Sequence, residues 1–264
     1  MHPLMNAASL KLAGFAWVMA SSLTLTACGS KQSGPSDVPQ ASSNGDEVCQ
    51  PLAASQIVYP NEVEIPIVGP NRGKPITYAK VWSAPASKKT IIYLSGGRGG
   101  YDEPADAVYS RMAAKMAHHC VSSVFVAFRD EDTSNQDYDQ DVLSAVEYAR
   151  AQGSRKMVFM GWSFSGAIVA DMVTRVPEMV SAVLFATQGA DTGGFRKMNA
   201  NQSILMFHSK ADKDLESTQS EIVYDEIPDG VEKVYYPLNG FDHALKGASK
   251  KIDPLLEAWL LEKL

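Results

Sequence analysis

The pattern of apolar and polar positions changes character partway along the chain. Near its start, the short alternating or β-branched runs "VEIPIV" and "ITYAKVW" flank a cluster of turn residues, "GPNRGKP". Alternation with a period of two sets one side of a strand against a core, and the Gly, Pro and Asn between the runs predict an antiparallel pair. Compact apolar runs of the kind buried on both faces of a sheet follow: "TIIYL", "SVFVAF", "KMVFM", "SAVLFA" and "SILMF". Most are separated by stretches with apolar residues at three- and four-residue steps, which predict helices over 104–119, 138–151, 166–176 and 248–263. A last run, "EKVYYPL", precedes the final helix. Strands alternating with helices predict an α/β fold, a mostly parallel central sheet flanked by helices.

The first residues do not fit that pattern. "KLAGFAWVMASSLTLTAC" has one lysine, Lys11, then an apolar run too short and too serine-rich for a membrane span, and it stops at Cys28. This reads as an export signal over 1–27. Leu25, Thr26, Ala27 and Cys28 resemble the bacterial lipobox, whose cysteine thiol is lipidated before cleavage. The resemblance implies a mature chain beginning at Cys28, held to a membrane of the bacterial cell envelope by its lipid. Gly29, where aspartate is absent, implies the outer membrane, and an ordinary signal peptide with an incidental cysteine is the alternative. Residues 28–47 have almost no apolar side chain and are rich in Ser, Pro and Gly, so they are expected to be a flexible tether to one domain over 48–264.

Charge and cysteine content narrow the possible partners. With a formal net charge of −6, nothing basic enough to hold nucleic acid is expected. Cys49 and Cys120 make an even pair in a compartment that permits disulfides, and a bridge between them is expected; two buried free thiols remain the alternative. No His, Cys and carboxylate cluster has metal-ligand spacing, and neither a metal nor another cofactor is expected.

The candidate chemistry lies after "KMVFM". The segment "GWSFSG" would turn the chain sharply from a strand into the helix of "AIVADMVTRV", with Ser163 at the corner and small residues, Gly161, Ser165 and Gly166, where backbone segments come close. This elbow resembles the G-x-S-x-G of the α/β-hydrolase family, with serine at its fifth position. Reading Ser165 as the nucleophile instead is the less favoured alternative. The family's order of serine, acid, histidine continues in "SILMFHSKADKDLE", which resembles a strand followed by H-G-x-x-D and implies Asp212 as the acid; Asp214 is the second candidate and Asp191 the third. His208, ahead of the acid, is expected to hold the loop. The loop "NGFDHAL" resembles the family's late G-x-x-H and implies His243 as the base.

Two backbone N–H groups should hold an oxyanion: that of Phe164, after the nucleophile, and that of Gly97 in "SGGRGG", which resembles the family's H-G-x-G loop with Ser95 in place of histidine. Between Ser163 and Asp212 there is room only for a helix, two strands and a loop. The likeness is therefore to lidless, dienelactone hydrolase-like esterases, over about residues 60–264. Trp162, Phe164, Tyr101 and Phe241 are candidate apolar walls of an open cleft for a small acyl substrate, and Arg98 could meet a substrate carbonyl or carboxylate. The acidic run over 129–141 is expected to be a solvated loop capping a helix, and His118 and His119 to end a helix without a functional role. Two alternatives to an esterase remain: a peptidase using the same atoms, and an anchored binding protein that kept the fold without the chemistry.

Overall fold

The computed structural model describes residues 48–53, 55–69, 75–97, 99–129 and 137–264. The expected export signal, Cys28, the tether, Arg98 and most of the acidic run over 129–141 lie outside the described residues. Residues 45–264 form one compact unit.

Its strands are β1 (Asn61–Pro66), β2 (Ile76–Trp82), β3 (Lys89–Leu94), β4 (Ser122–Ala127), β5 (Lys156–Trp162), β6 (Met179–Phe185), β7 (Ser203–Ser209) and β8 (Glu232–Leu238). They make one sheet in the order β1-β2-β4-β3-β5-β6-β7-β8. β1 and β2 pair antiparallel, with Val63 opposite Ala79, and β2 is antiparallel to β4. From β4 to β8 every neighbouring pair is parallel. The helices are α1 (Val108–Ala117), α2 (Tyr138–Ala151), α3 (Ser165–Arg175), α4 (Thr218–Glu226) and α5 (Ser249–Lys263), with a 3₁₀ turn at Gly193–Lys197. This is a single α/β domain of the class the hydrophobic pattern predicts.

Period-two alternation sorts the central strands into two cores. Met157 and Phe159 of β5 pack with Val142 of α2, Val169 of α3 and Val223 of α4. Val158, Met160 and Trp162 of the same strand pack on the other face with Met112 of α1 and Leu256 of α5. Both faces being apolar explains why these strands read as continuous hydrophobic runs.

Cys49 and Cys120 form a disulfide, their Cα atoms 5.9 Å apart, which ties the start of the described chain to the turn between α1 and β4. Closing a loop between residues 71 apart removes unfolded-chain freedom worth roughly 4 kcal/mol in the chain-entropy account.

Two helices differ from the sequence expectation. α1 begins at Val108 rather than near 104, because Ala105, Asp106 and Ala107 take φ values of 50, 58 and 66°, a left-handed turn. Its neighbours hold it: the Ala105 N–H donates to Ala244 O at 2.7 Å, and the Gly247 N–H donates to the Asp106 carboxylate at 2.9 Å. α4 was not anticipated. It buries only Ser220 and Val223, too few apolar positions to make a stripe.

Candidate active site

The carboxyl ends of the parallel strands bring the candidate residues together. β5 stops at Trp162 and α3 starts at Ser165, so two residues reverse the chain. Ser163 does so with φ of 59°, a left-handed conformation that costs a non-glycine residue about 1–3 kcal/mol. The cost is met by neighbours on both sides: the Ser163 N–H donates to Phe185 O at 2.9 Å, and Gly166 and Gln188 donate to Ser163 O at 3.3 Å each. Close packing fixes the glycines of the elbow. A Cβ at Gly161 would stand 2.9 Å from Val169 Cγ2, and one at Gly166 would stand 1.8 Å from Thr187 Oγ1. Ser165 is different. Its buried Oγ accepts the Trp162 N–H at 2.8 Å and donates to Trp162 O at 2.9 Å, so the hydroxyl braces the elbow and does not face the cleft.

Ser163 Oγ lies 2.9 Å from His243 Nε2, and His243 Nδ1 lies 2.7 Å from Asp212 Oδ2. Asp212 follows β7, and His243 sits in the loop between β8 and α5. The carboxylate is fully partnered: Oδ1 accepts N–H groups of Asp214 at 2.9 Å and Leu215 at 3.0 Å, while Oδ2 is also 3.0 Å from His208 Nε2. Burial opposes its charge, but the Leu215 N–H, the His243 bond and the Asp214 N–H outweigh that and hold the carboxyl below its usual range. An acid fixed in its ionised form can set the histidine tautomer with hydrogen on Nδ1, leaving Nε2 free to accept from Ser163.

His208 is wholly buried. Its Nε2 faces two acceptors, Asp212 Oδ2 and Leu215 O at 2.9 Å, so it carries the hydrogen; Nδ1 accepts from the Ser220 hydroxyl at 2.7 Å. Burial pushes its pKa below the ordinary histidine value, keeping the ring neutral. Its place ahead of the acid predicts a role in holding the loop but not the direct bond to Asp212, whose signal in the sequence is the four-residue spacing of "HSKAD". A second unread link is the Trp162 indole N–H, which donates to His243 O at 3.2 Å and so ties the elbow to the histidine loop.

Asp214 is exposed and gives Asp212 only its backbone N–H, while Asp191 is exposed in the loop after β6. Gly97, Trp162, Ser163 and His243 line one cleft of about 380 Å³ together with Asp102, Asp214 and Asp242. Among the described residues neither the Gly97 nor the Phe164 N–H has a hydrogen-bond acceptor. Of the four aromatics, Trp162 lines this cleft and Phe241 an adjoining depression with Lys213. The other two pack elsewhere: Phe164 against Phe128 and Tyr138, and Tyr101 against Phe125 beneath the Lys80 ammonium. At the base of the acidic run, Arg129 and Asp141 make a buried ion pair, and Asp137 at the helix N-cap makes no side-chain cap bond. His119 is exposed, and His118 Nδ1 lies 3.4 Å from Leu52 O. Among the described residues no group of three or more His, Cys, Asp or Glu could hold a metal ion.

No protein-family model and no curated protein matches the sequence. Solved structures do. The esterase domain of a Rhodothermus marinus protein superposes with a TM-score of 0.61 at 15% identity, over 77% of this chain and 98% of that one.

The fold is that of the α/β hydrolases.

Est1E from Butyrivibrio proteoclasticus has the same α/β-hydrolase fold, with a TM-score of 0.60 at 11% identity over 76% of this chain and 98% of its own. A dienelactone hydrolase-like promiscuous phosphotriesterase, P91, from metagenomic libraries gives 0.60 at 11% identity, over 78% and 99%. These solved domains are covered almost whole.

Proposed function

We propose that the protein is a serine hydrolase that cleaves a carboxylic ester, thioester or lactone of a small molecule through an acyl-enzyme. The observation that carries this reading is the unbroken relay from Ser163 Oγ through His243 to Asp212, with spacings of 2.9 and 2.7 Å, on a strained elbow. Ser163 Oγ attacks the substrate carbonyl carbon as its proton passes to His243 Nε2, and the N–H groups of Gly97 and Phe164 receive the oxyanion. Collapse of the tetrahedral intermediate breaks the bond to the alcohol, thiol or ring oxygen, which takes the proton from His243. Water activated by the same nitrogen then releases the acid and restores Ser163. Asp212 stays ionised throughout and steadies the imidazolium.

Turnover of a p-nitrophenyl acyl ester tests the reading. Ser163→Ala and His243→Ala should each lower kcat by about 10³-fold or more. Folded Ser163→Ala protein retaining wild-type turnover would refute the assignment.

The envelope location belongs to the same proposal. Its support is the lipobox resemblance at Cys28, and Cys28→Ser should move the protein out of the membrane fraction. Unchanged membrane partition together with no lipid on wild-type Cys28 would count against the anchor.

A further inference from the structure

The pole of the domain away from the catalytic cleft carries a feature the hydrolase reading does not use. β3 opens with Lys89 and β5 with Lys156, and the two residues are paired in register. Lys88 and Arg155 immediately precede them, and the N–H groups of Arg155 and Lys156 both donate to Lys88 O, at 2.8 and 3.1 Å. Four cationic side chains are thus gathered at the amino ends of two adjacent strands. Lys88, Arg155 and Lys156 are exposed and Lys89 is half-buried. Among the described residues none of the four forms an ion pair. Glu178, whose charge Arg155 helps to stabilise, already holds Arg150 through both oxygens, at 2.9 and 2.7 Å. On a chain with net charge −6, such a cluster stands against the overall balance.

The place where the N-terminal chain enters is an independent observation. Cys49 is bridged to Cys120, whose carbonyl accepts the Ser87 hydroxyl at 2.7 Å, one residue before Lys88. The described chain therefore begins, at Val48, beside this patch. Val48, at the junction, is 72% exposed. The catalytic serine lies at the other end of β5, and a strand of that length spans roughly 20 Å.

We infer that this pole, Lys88, Lys89, Arg155 and Lys156 with the Cys49–Cys120 junction, docks on an anionic lipid surface. The cleft then faces the aqueous side and takes water-soluble acyl substrates, not bilayer lipids. Part of this rests on the hydrolase reading, namely the substrate class; the docking itself does not. Cations within a Debye length of an anionic bilayer are attracted additively, whereas any lipid on Cys28 inserts into neutral and anionic bilayers alike.

The test is co-sedimentation of the full-length protein with phosphatidylcholine vesicles prepared with and without phosphatidylglycerol, at low and raised salt. Phosphatidylglycerol should strengthen binding by at least about tenfold, and the increment should vanish in raised salt and in K88E/K89E/R155E/K156E. An anchor at Cys28 contributes equally to both vesicle types, so the increment reads the patch. K88E and K156E alone, each at an exposed site, should lose part of it and cover the case of a multiple variant that does not fold. Hydrogen exchange on the anionic vesicles should slow at 87–89 and 154–156 and stay unchanged at 239–247. No increment, an increment kept in the variants, or protection of 239–247 instead would overturn the inference. Fluorophosphonate labelling of the same samples reports the hydrolase chemistry separately, so failure of one reading is not mistaken for failure of the other.

Discussion

At position 165 a hydroxymethyl group stands where the elbow's pattern has glycine, and it is accommodated because its oxygen partners backbone groups of the turn itself. The Trp162 N–H and C=O are buried at the end of β5, and Ser165 Oγ serves both. The two serines of "GWSFSG" are therefore told apart by direction: one points to His243 and the other into the backbone. His208 makes a comparable distinction among histidines. It is held neutral by burial and gives its hydrogen to the same Asp212 oxygen that receives His243. The sign of its effect on stability follows. The unfolded chain protonates this ring below about pH 6.5, where the folded chain still resists, so stability is lost as pH falls through that range. Asp212, whose carboxyl is held down in the fold, adds a second loss of the same sign below the ordinary carboxylate range near pH 4. Ser220, Leu215, Asp214 through its N–H, and His243 are the other groups facing this pair. Thermal unfolding followed against pH should fall in these two steps. His208→Gln, which can still donate to Asp212, should remove the first and keep the second; an unchanged profile would contradict the neutral assignment.

Among the elements, those whose side chains meet a core on both faces were legible, and those held by backbone contacts were not. β3 to β7 and α2, α3 and α5 announce themselves through apolar runs and stripes. The left-handed turn of Ala105–Ala107 has no such signal, since two alanines and an aspartate look like helix, and bonds to Ala244 and Gly247, with those the Arg111 guanidinium gives to Ala105 O and Asp106 O, hold the other conformation. α4 escaped for the opposite reason, having too little to bury. The disulfide binds elements far apart in sequence, and a count of cysteines suggested it without supplying the 5.9 Å approach. Cys49→Ser/Cys120→Ser should lower unfolding free energy by roughly 2–4 kcal/mol in denaturant titration under non-reducing conditions. Equal stability with and without the bridge would show that the junction is held by other contacts.

For the molecule as a whole, the arrangement separates two poles. The carboxyl ends of the strands carry the serine, the histidine and the acid on three different loops, brought together because β5, β7 and β8 run parallel in one sheet. The amino ends carry the cations and the chain's entry. Motif order made the first pole legible, since serine, acid and histidine each follow a strand in the expected sequence. The second pole was not legible, because Lys88–Lys89 and Arg155–Lys156 are distant in sequence and only strand pairing makes them neighbours. In the proposed reaction Ser163 is a nucleophile activated by His243. Mass spectrometry of the protein after reaction with a fluorophosphonate tests it most directly. One phosphonyl group should appear on the peptide containing Ser163, persist in Ser165→Ala, and disappear in Ser163→Ala and His243→Ala. An adduct on Ser165, or no adduct on folded wild-type protein, would contradict the account.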